Sequence, residues 1–269
     1  MKIGIISLGL IGGSIFKCLA RTQHEIYAVT RNKKTIEKAK KYTPHVSDNI
    51  NILSCCDVIF CAAPINNTLE VLDSLENVVN PNCIVMDCAS VKDFVMQKKR
   101  PYKFIGSHPM AGTECSGFDS AFKELFMGAK WVLTPNSTTN EEDILIAEKI
   151  IKQTGAEPII ADSKEHDLAV ALISHMPMFI SQAIFKTAMD NKLALKLAAS
   201  GFRDMTRLAM GNTTMANDML TFNKVNIEKC LEMLQNSILT LNDPKYPEII
   251  SDIKSIRSSM YSNEGKNVL

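Results

Sequence analysis

Three short segments carry residue types that can do chemistry. Residues 106–114 read Gly-Ser-His-Pro-Met-Ala-Gly-Thr-Glu and place His108 in a glycine-rich stretch just past a short apolar run. A neutral imidazole can take a proton near physiological pH. Pro109 restricts the preceding histidine to an extended backbone, which limits where the ring can point. Residues 87–92, Asp-Cys-Ala-Ser-Val-Lys, offer Ser90. Its hydroxyl can donate to a substrate or order a catalytic group, although a serine there serves equally well as a helix cap. Residues 200–207, Ser-Gly-Phe-Arg-Asp-Met-Thr-Arg, offer Arg207. A guanidinium can clamp a carboxylate in two parallel hydrogen bonds, with Asp204 to orient it; the plainer alternative is a surface or interdomain salt bridge.

A fourth segment is suited to holding a cofactor. Residues 7–14 read Ser-Leu-Gly-Leu-Ile-Gly-Gly-Ser, directly after an apolar run and at the head of a helical pattern. This is the context of a dinucleotide-binding turn. Gly9 lets the backbone approach a pyrophosphate, and Gly12 and Gly13 allow close helix–strand packing. The free N–H groups of the helix start hold the phosphates. Ser7, Leu8, Leu10 and Ile11 complete that turn, with Ser7 where the motif usually has its first glycine. The competing view is a glycine-rich turn without a ligand. The next β-rich run ends at Thr30-Arg31, where enzymes using NAD usually carry an acid for the ribose hydroxyl. A threonine and a guanidinium would instead accept a 2′-phosphate, with Lys33 and Lys34 beside them. NADP is therefore expected over NAD, the alternative being a solvated basic helix start. Ala63 and Pro64, after the run at 58–62, are assigned to the same site.

These segments need a scaffold. β-rich runs are expected at 2–7, 25–30, 58–62, 83–87, 103–105, 130–133 and 157–161, with helices at 12–21, 34–41, 67–75 and 141–154. That alternation predicts a mostly parallel, doubly wound sheet. After Asp162 the pattern becomes helical, with segments at 165–190, 192–199, 205–208, 215–241 and 246–262. The expected fold is α/β: a Rossmann-type domain over residues 1–162, then an all-α domain over 163–269. Methionines gathered in the later helices fit a core or a helix–helix interface.

Composition narrows the class. The 269 residues carry a net charge of +1, with 46% hydrophobic and 22% charged residues, so neither nucleic acid nor an anionic membrane is an expected partner. Eight cysteines stand mostly in apolar runs without paired CxxC motifs, which suits reduced, buried thiols and no metal site. The apolar N-terminal stretch contains a glycine cluster that fits a strand–turn–helix better than a signal peptide. No uninterrupted apolar run reaches the roughly 18 residues of a membrane span. A cytoplasmic protein is expected.

Taken together and in order, the motifs resemble those of the prephenate/arogenate dehydrogenase family. They are the 7–14 turn, Ala89-Ser90-Val91-Lys92, 106–114, His166-Asp167 with Ser174-His175-Met176-Pro177, and 201–207. The resemblance covers about residues 3–222. It implies oxidative decarboxylation of prephenate or arogenate in tyrosine biosynthesis, with hydride transfer to NADP or NAD. It also implies a homodimer joined through the helical domain, with the active site between the domains. Carried over by motif, His108 accepts the ring hydroxyl's proton and Ser90 holds that hydroxyl and His108 in register. Arg207 binds the ring carboxylate. Glu114 and His175 lie near the substrate, with Asp204 and Asp167 behind them. Two positions depart from the pattern: Met178 stands where many members have a second histidine, and Ala216 where some have tryptophan. Both bear on the substrate side chain, where Glu114 would pair with the ammonium of arogenate. The chain begins at its first strand and ends soon after the last helices, so neither a fused mutase nor a regulatory domain is expected. The competing functions are a β-hydroxyacid dehydrogenase, a pyrroline-carboxylate reductase and a non-catalytic NADP sensor. Lys164 is a poor match for the lysine the first would want, and the sensor leaves His108, Ser90 and Arg207 without a shared purpose.

Overall fold

The computed structural model describes residues 1–113, 115–211 and 213–261. β1 (Lys2–Ile6) runs into α1 (Leu10–Leu19), and β2 (Glu25–Val29) into α2 (Lys33–Ala39). Next come β3 (Val46–Ser47), β4 (Val58–Cys61), α3 (Ile65–Ser74), β5 (Ile84–Asp87) and the one-turn α4 (Asp93–Met96). β6 (Lys103–Pro109), β7 (Lys130–Pro135), α5 (Glu141–Gln153) and β8 (Glu157–Ile160) complete the sheet region. The eight strands lie in the order β3-β2-β1-β4-β5-β6-β7-β8. All neighbours are parallel except β6 and β7.

Alternation along the strands builds two cores. Ile3, Ile5, Phe60, Met86 and Trp131 face α1 and α5, meeting Ile15, Phe16 and Ile150. Ile6, Ile59, Val85 and Phe104 face the other way, against Leu72 and Leu75 around α3. Each fully buried side chain of this size contributes about 1.5–3 kcal/mol. α5 starts with a reciprocal cap: Asn140 accepts from the Asp143 amide, and Asp143 accepts from the Asn140 amide, each at 3.0 Å.

One strand runs further than its sequence suggests, and this moves a key residue. β6 continues four residues beyond Ile105 because antiparallel pairing with β7 sets His108 opposite Val132 and Pro109 opposite Trp131. His108 is therefore a strand residue, not a loop residue. Pro109 costs no ladder bond at the strand's end, and the chain resumes pairing with Met110 N donating to Lys130 O at 2.9 Å. The two-residue β3 had no signature in the sequence.

From Ser163 onward every described element is helical. α6 (Ser163–Val170) passes through a π turn at Ala171–His175 into α7 (Met176–Ala188). Pro177, at the start of α7, lacks an N–H and crowds the preceding turn, which accounts for the widening. The run Ser163–Ala188 is long and apolar enough, by length and composition alone, to cross a membrane. Its buried side chains include His166, Asp167, His175, Met178 and Ser181, and Ala171 and Met178 join a small core with Met219, Ile227 and Cys230. Of its most apolar window, 28% is buried within the chain.

α8 (Lys192–Leu197), α9 (Ser200–Met205), a 3-10 turn (Arg207–Met210), α10 (Thr213–Phe222), α11 (Lys224–Leu239) and α12 (Tyr246–Tyr261) follow. The sequence suggested one helix over 215–241, but α10 and α11 are separate. Asn223 leaves the helical region at φ −132°, ψ 22°, and its amide is used inside the protein. All eight cysteines are free thiols.

Candidate active site

The nucleotide turn lies at the carboxyl end of β1. Ser7, where the motif usually carries glycine, has φ +70°, a left-handed conformation that costs a non-glycine residue roughly 1–2 kcal/mol. Gly12 is required sterically: a Cβ there would lie 2.1 Å from the Ser7 carbonyl oxygen and 3.0 Å from the Ala62 Cβ. Gly13 packs on Ala121 and Phe118 rather than on a strand. At Gly9, by contrast, a Cβ would meet nothing within 4 Å. Gly9 also begins α1 without a side-chain cap and no acid follows in the first turn. The start of α1 thus has no side-chain acceptor competing for its first amides, which fits a phosphate group.

Beside this turn is a cavity of about 320 Å³. Ser7, Leu8, Gly9, Thr30, Asn32 and Lys34 line it on the sheet side, and residues 116–119 form the opposite wall. That wall is held by Lys17 Nζ, which donates to Phe118 O at 3.0 Å and Ala121 O at 2.6 Å, and by a 2.7 Å ion pair between Lys38 and Asp119. Among the described residues, Asp119 is the only carboxylate lining the cavity, and Lys38 engages it. Arg31 is exposed before α2 and does not line the cavity; Lys34 and Lys38 do. Leu10 and Ile11 are half-buried in the first turn of α1, and Ala63 and Pro64 follow β4 at the same sheet edge.

The second cluster lies along that edge and is made of side chains. His108 Nδ1 is 3.0 Å from His166 Nε2, and His166 Nδ1 is 2.8 Å from Asp167 Oδ1. Asp167 is in turn fixed by two backbone donors, Lys92 N to Oδ1 at 2.7 Å and Asp93 N to Oδ2 at 2.8 Å. Beneath His108, the fully buried Lys92 ammonium pairs with the Asp87 carboxylate and donates to Ser107 O at 2.7 Å. Asp87 also accepts from Ser107 N and Ala89 N, each at 2.9 Å, while Trp131 Nε1 donates to the Ser107 hydroxyl at 3.2 Å. A buried ion pair of this kind stabilises little in net terms, but with its lone pairs and protons satisfied it locks β5 against β6.

Burial pushes the His108 imidazole well below its usual 6.5, and the neighbouring His166, Lys92 and His175 push the same way. His108 is thus neutral at physiological pH and ready to accept a proton. His175, 1% exposed, is lowered to about 4, mainly by burial, with His166 adding to the shift and Asp167 opposing it. Its Nδ1 accepts from Asn223 Nδ2 at 3.2 Å, and the same amide nitrogen donates to Asp167 O at 2.8 Å.

Other expected site residues fall less centrally. Ser90 is half-buried in the bend after β5, and the cap position of α4 is Lys92, so Ser90 does not cap a helix. Arg207 is exposed at the start of the 3-10 turn. Asp204 pairs with its neighbour Arg203 at 3.5 Å, so the expected orientation of Arg207 by Asp204 is not what the side chain does here. Glu114 lies outside the described residues. Met178, at the departed histidine position, is 4% exposed in the helical core, with Ala216 at that core's edge. His166, Asn223, Lys92 and Asp87 had been given no role from sequence. The signal for His166 was its place beside Asp167 in one of the motifs that carry the family resemblance. A lysine five residues after a strand-end aspartate was the signal for the buried pair.

A phosphate-ready turn on a doubly wound sheet, with a desolvated neutral imidazole on the same edge and a helical domain over it, is the arrangement of a two-domain dehydrogenase. Two family models match: "Prephenate dehydrogenase, nucleotide-binding domain" over residues 17–160, and "Prephenate dehydrogenase, dimerization domain" over residues 162–245. The chain belongs to the prephenate dehydrogenase family. It is 28% identical to the prephenate dehydrogenase of Lactococcus lactis over 98% of this chain and 78% of that one. With the Bacillus subtilis prephenate dehydrogenase the identity is 26%, over 98% and 71%. The crystal structure of Synechocystis arogenate dehydrogenase superposes with a TM-score of 0.85 at 32% identity, covering 97% of this chain and 99% of that one.

Proposed function

We propose that the protein oxidises and decarboxylates prephenate to 4-hydroxyphenylpyruvate. The observation that carries this is the His108–His166–Asp167 chain at the sheet edge beside the nucleotide turn. In the reaction, the hydrogen on the carbinol carbon leaves with its electron pair for a nicotinamide, which when bound supplies the hydride acceptor. His108 takes the hydroxyl proton as the carbon–oxygen bond gains carbonyl character. The bond to the ring carboxylate then breaks, CO2 leaves, its electron pair completes the aromatic ring as a phenolate, and the His108 imidazolium returns the proton to the ring oxygen. Ser90 holds the hydroxyl, Arg207 binds the ring carboxylate, and His175 and Glu114 lie toward the substrate side chain. What the protein contributes is mostly orientation and a waiting base.

NADP is the preferred cofactor. Thr30 and Lys34 line the cavity, Arg31 stands beside it, and Asp119 is engaged by Lys38, so among the described residues no unpaired lining carboxylate opposes a 2′-phosphate. The active unit is a homodimer through the helical domain, supported by the family model and by exposed apolar side chains such as Leu197, Val225, Leu239, Ile253 and Ile256. Eight free thiols suit a reducing, cytoplasmic setting.

Arogenate, giving tyrosine directly, is the second reading. The 32% identity to an arogenate dehydrogenase and the apolar Met178 at a position many relatives fill with histidine favour it. Reduction of NADP+ and NAD+ with prephenate and with arogenate tests both readings. Turnover is expected with at least one substrate, fastest with NADP+. The absence of turnover in all four combinations, from protein that binds NADP+, would sink the reading.

A further inference from the structure

We propose that His166 is a positioning residue that sets the tautomer of His108, so that Nε2 of His108 carries the lone pair that takes the substrate proton. This rests on the reading of His108 as the base. The argument runs outward from Asp167. Its two oxygens already accept the backbone amides of Lys92 and Asp93, at 2.7 and 2.8 Å, so the carboxylate meets His166 as an acceptor. His166 therefore presents Nδ1–H to Asp167 at 2.8 Å. With its one hydrogen on Nδ1, the ring keeps a lone pair on Nε2, which lies 3.0 Å from His108 Nδ1. His108 must then carry its hydrogen on Nδ1, which leaves Nε2 bare.

The surroundings enforce this order. His166 and Asp167 are 3% and 2% exposed, so water has little room to replace either partner. The two rings meet edge to face, 5.2 Å between centroids and 80° between planes, which directs the in-plane lone pair of one at the N–H of the other. The third imidazole is already engaged: Asn226 Nδ2 donates to Asn223 Oδ1 at 2.8 Å, orienting that amide so its nitrogen faces His175 Nδ1. His166 opens the helical domain while His108 ends a sheet strand, so the contact also sets the base only when the two parts are docked.

The groups facing His108 are His166 from α6, Lys92 from the segment before α4, and His175 from the π turn; burial and the Lys92 ammonium oppose its protonation. Asp87 lies beyond Lys92 and is bound to it. As His108 becomes an imidazolium, its Nδ1–H is met by the His166 lone pair, backed by Asp167.

Long-range proton–nitrogen correlation spectra of the full-length protein labelled with 15N-histidine read the tautomer directly. The His108 resonances are assigned by their loss in His108→Asn. The wild type is expected to show the Nδ1–H form. In His166→Phe, His108 should shift to the Nε2–H form, kcat should fall on the order of 100-fold with little change in KM, and the acid limb of the pH profile should move down, because the imidazolium loses its acceptor. His166→Gln, whose side-chain carbonyl can accept from Nδ1–H, should restore the wild-type tautomer and part of kcat. An Nε2–H wild type, or a His166→Phe protein with unchanged tautomer and pH profile, would overturn the proposal. The wild-type spectrum decides even where a variant fails to fold. Full turnover by His108→Asn would instead overturn the assignment of the base, a separate failure.

Discussion

The nucleotide turn and the proton site share one edge of the sheet but are built from different material. The turn is backbone: Ser7 in a left-handed conformation, Gly9 open to solvent, Gly12 pressed against a carbonyl, and uncapped amides at the start of α1. The proton site is side chain: three imidazoles, two carboxylates, an ammonium and an amide, nearly all buried and hydrogen-bonded in a continuous network. The turn needs eight contiguous residues. The network gathers groups from position 87 to position 223. A ligand held by backbone can tolerate much side-chain change outside its glycines. A network held by buried polar groups is damaged by the loss of any one of them.

The largest stability effect is therefore expected in the network. Lys92→Met leaves the Asp87 carboxylate buried without its cation, and should cost about 3–5 kcal/mol, read as a shift in the urea midpoint. A loss below about 1 kcal/mol would mean that Asp87 is already neutralised, and the contrast between the two regions would weaken.

The network should also make stability depend on pH. His175 titrates near 4 in the folded chain and near 6.5 when unfolded. Above 6.5 both states are neutral there and its contribution is complete. As pH falls from 6.5 toward 4 the unfolded chain takes up the proton and the folded chain does not, so stability drops, by roughly 3 kcal/mol at most. The depressed His108 acts with the same sign. Urea titrations across this range should show the loss, and His175→Gln should reduce it. An equal loss in that variant would assign the pH dependence elsewhere.

The smallest of these effects falls on the backbone-built region. Gly12→Ala places a methyl into the Ser7 carbonyl and should cost about 1–3 kcal/mol of stability while weakening NADP+ binding about tenfold or more. Calorimetric titration measures the second effect. Unchanged affinity would show that the turn does not need its close packing.

This contrast also explains what could be read from the sequence. Alternating apolar runs and a glycine turn are local signals, so most strands of the sheet were legible within a residue or two, though not the two-residue β3. The length of β6 was not, because pairing with β7 is a tertiary fact, and so His108 was expected in a loop. Asn223 was hidden inside a helical pattern that its own buried hydrogen bonds interrupt. His166 and Lys92 could be seen as residues but not as partners: 58 residues separate His108 from His166, and 16 separate Lys92 from His108. Asp204 was expected to serve Arg207 and instead meets the arginine beside it.

The most direct test of the account is turnover by wild type and by His108→Asn, with NADP+ binding measured on the same samples. The network predicts equal cofactor affinity and a fall in kcat of about 10²–10⁴-fold, the range expected for removal of a general base. Equal affinity with kcat within a few-fold of wild type would contradict it, and would move proton removal away from the imidazole at the end of β6.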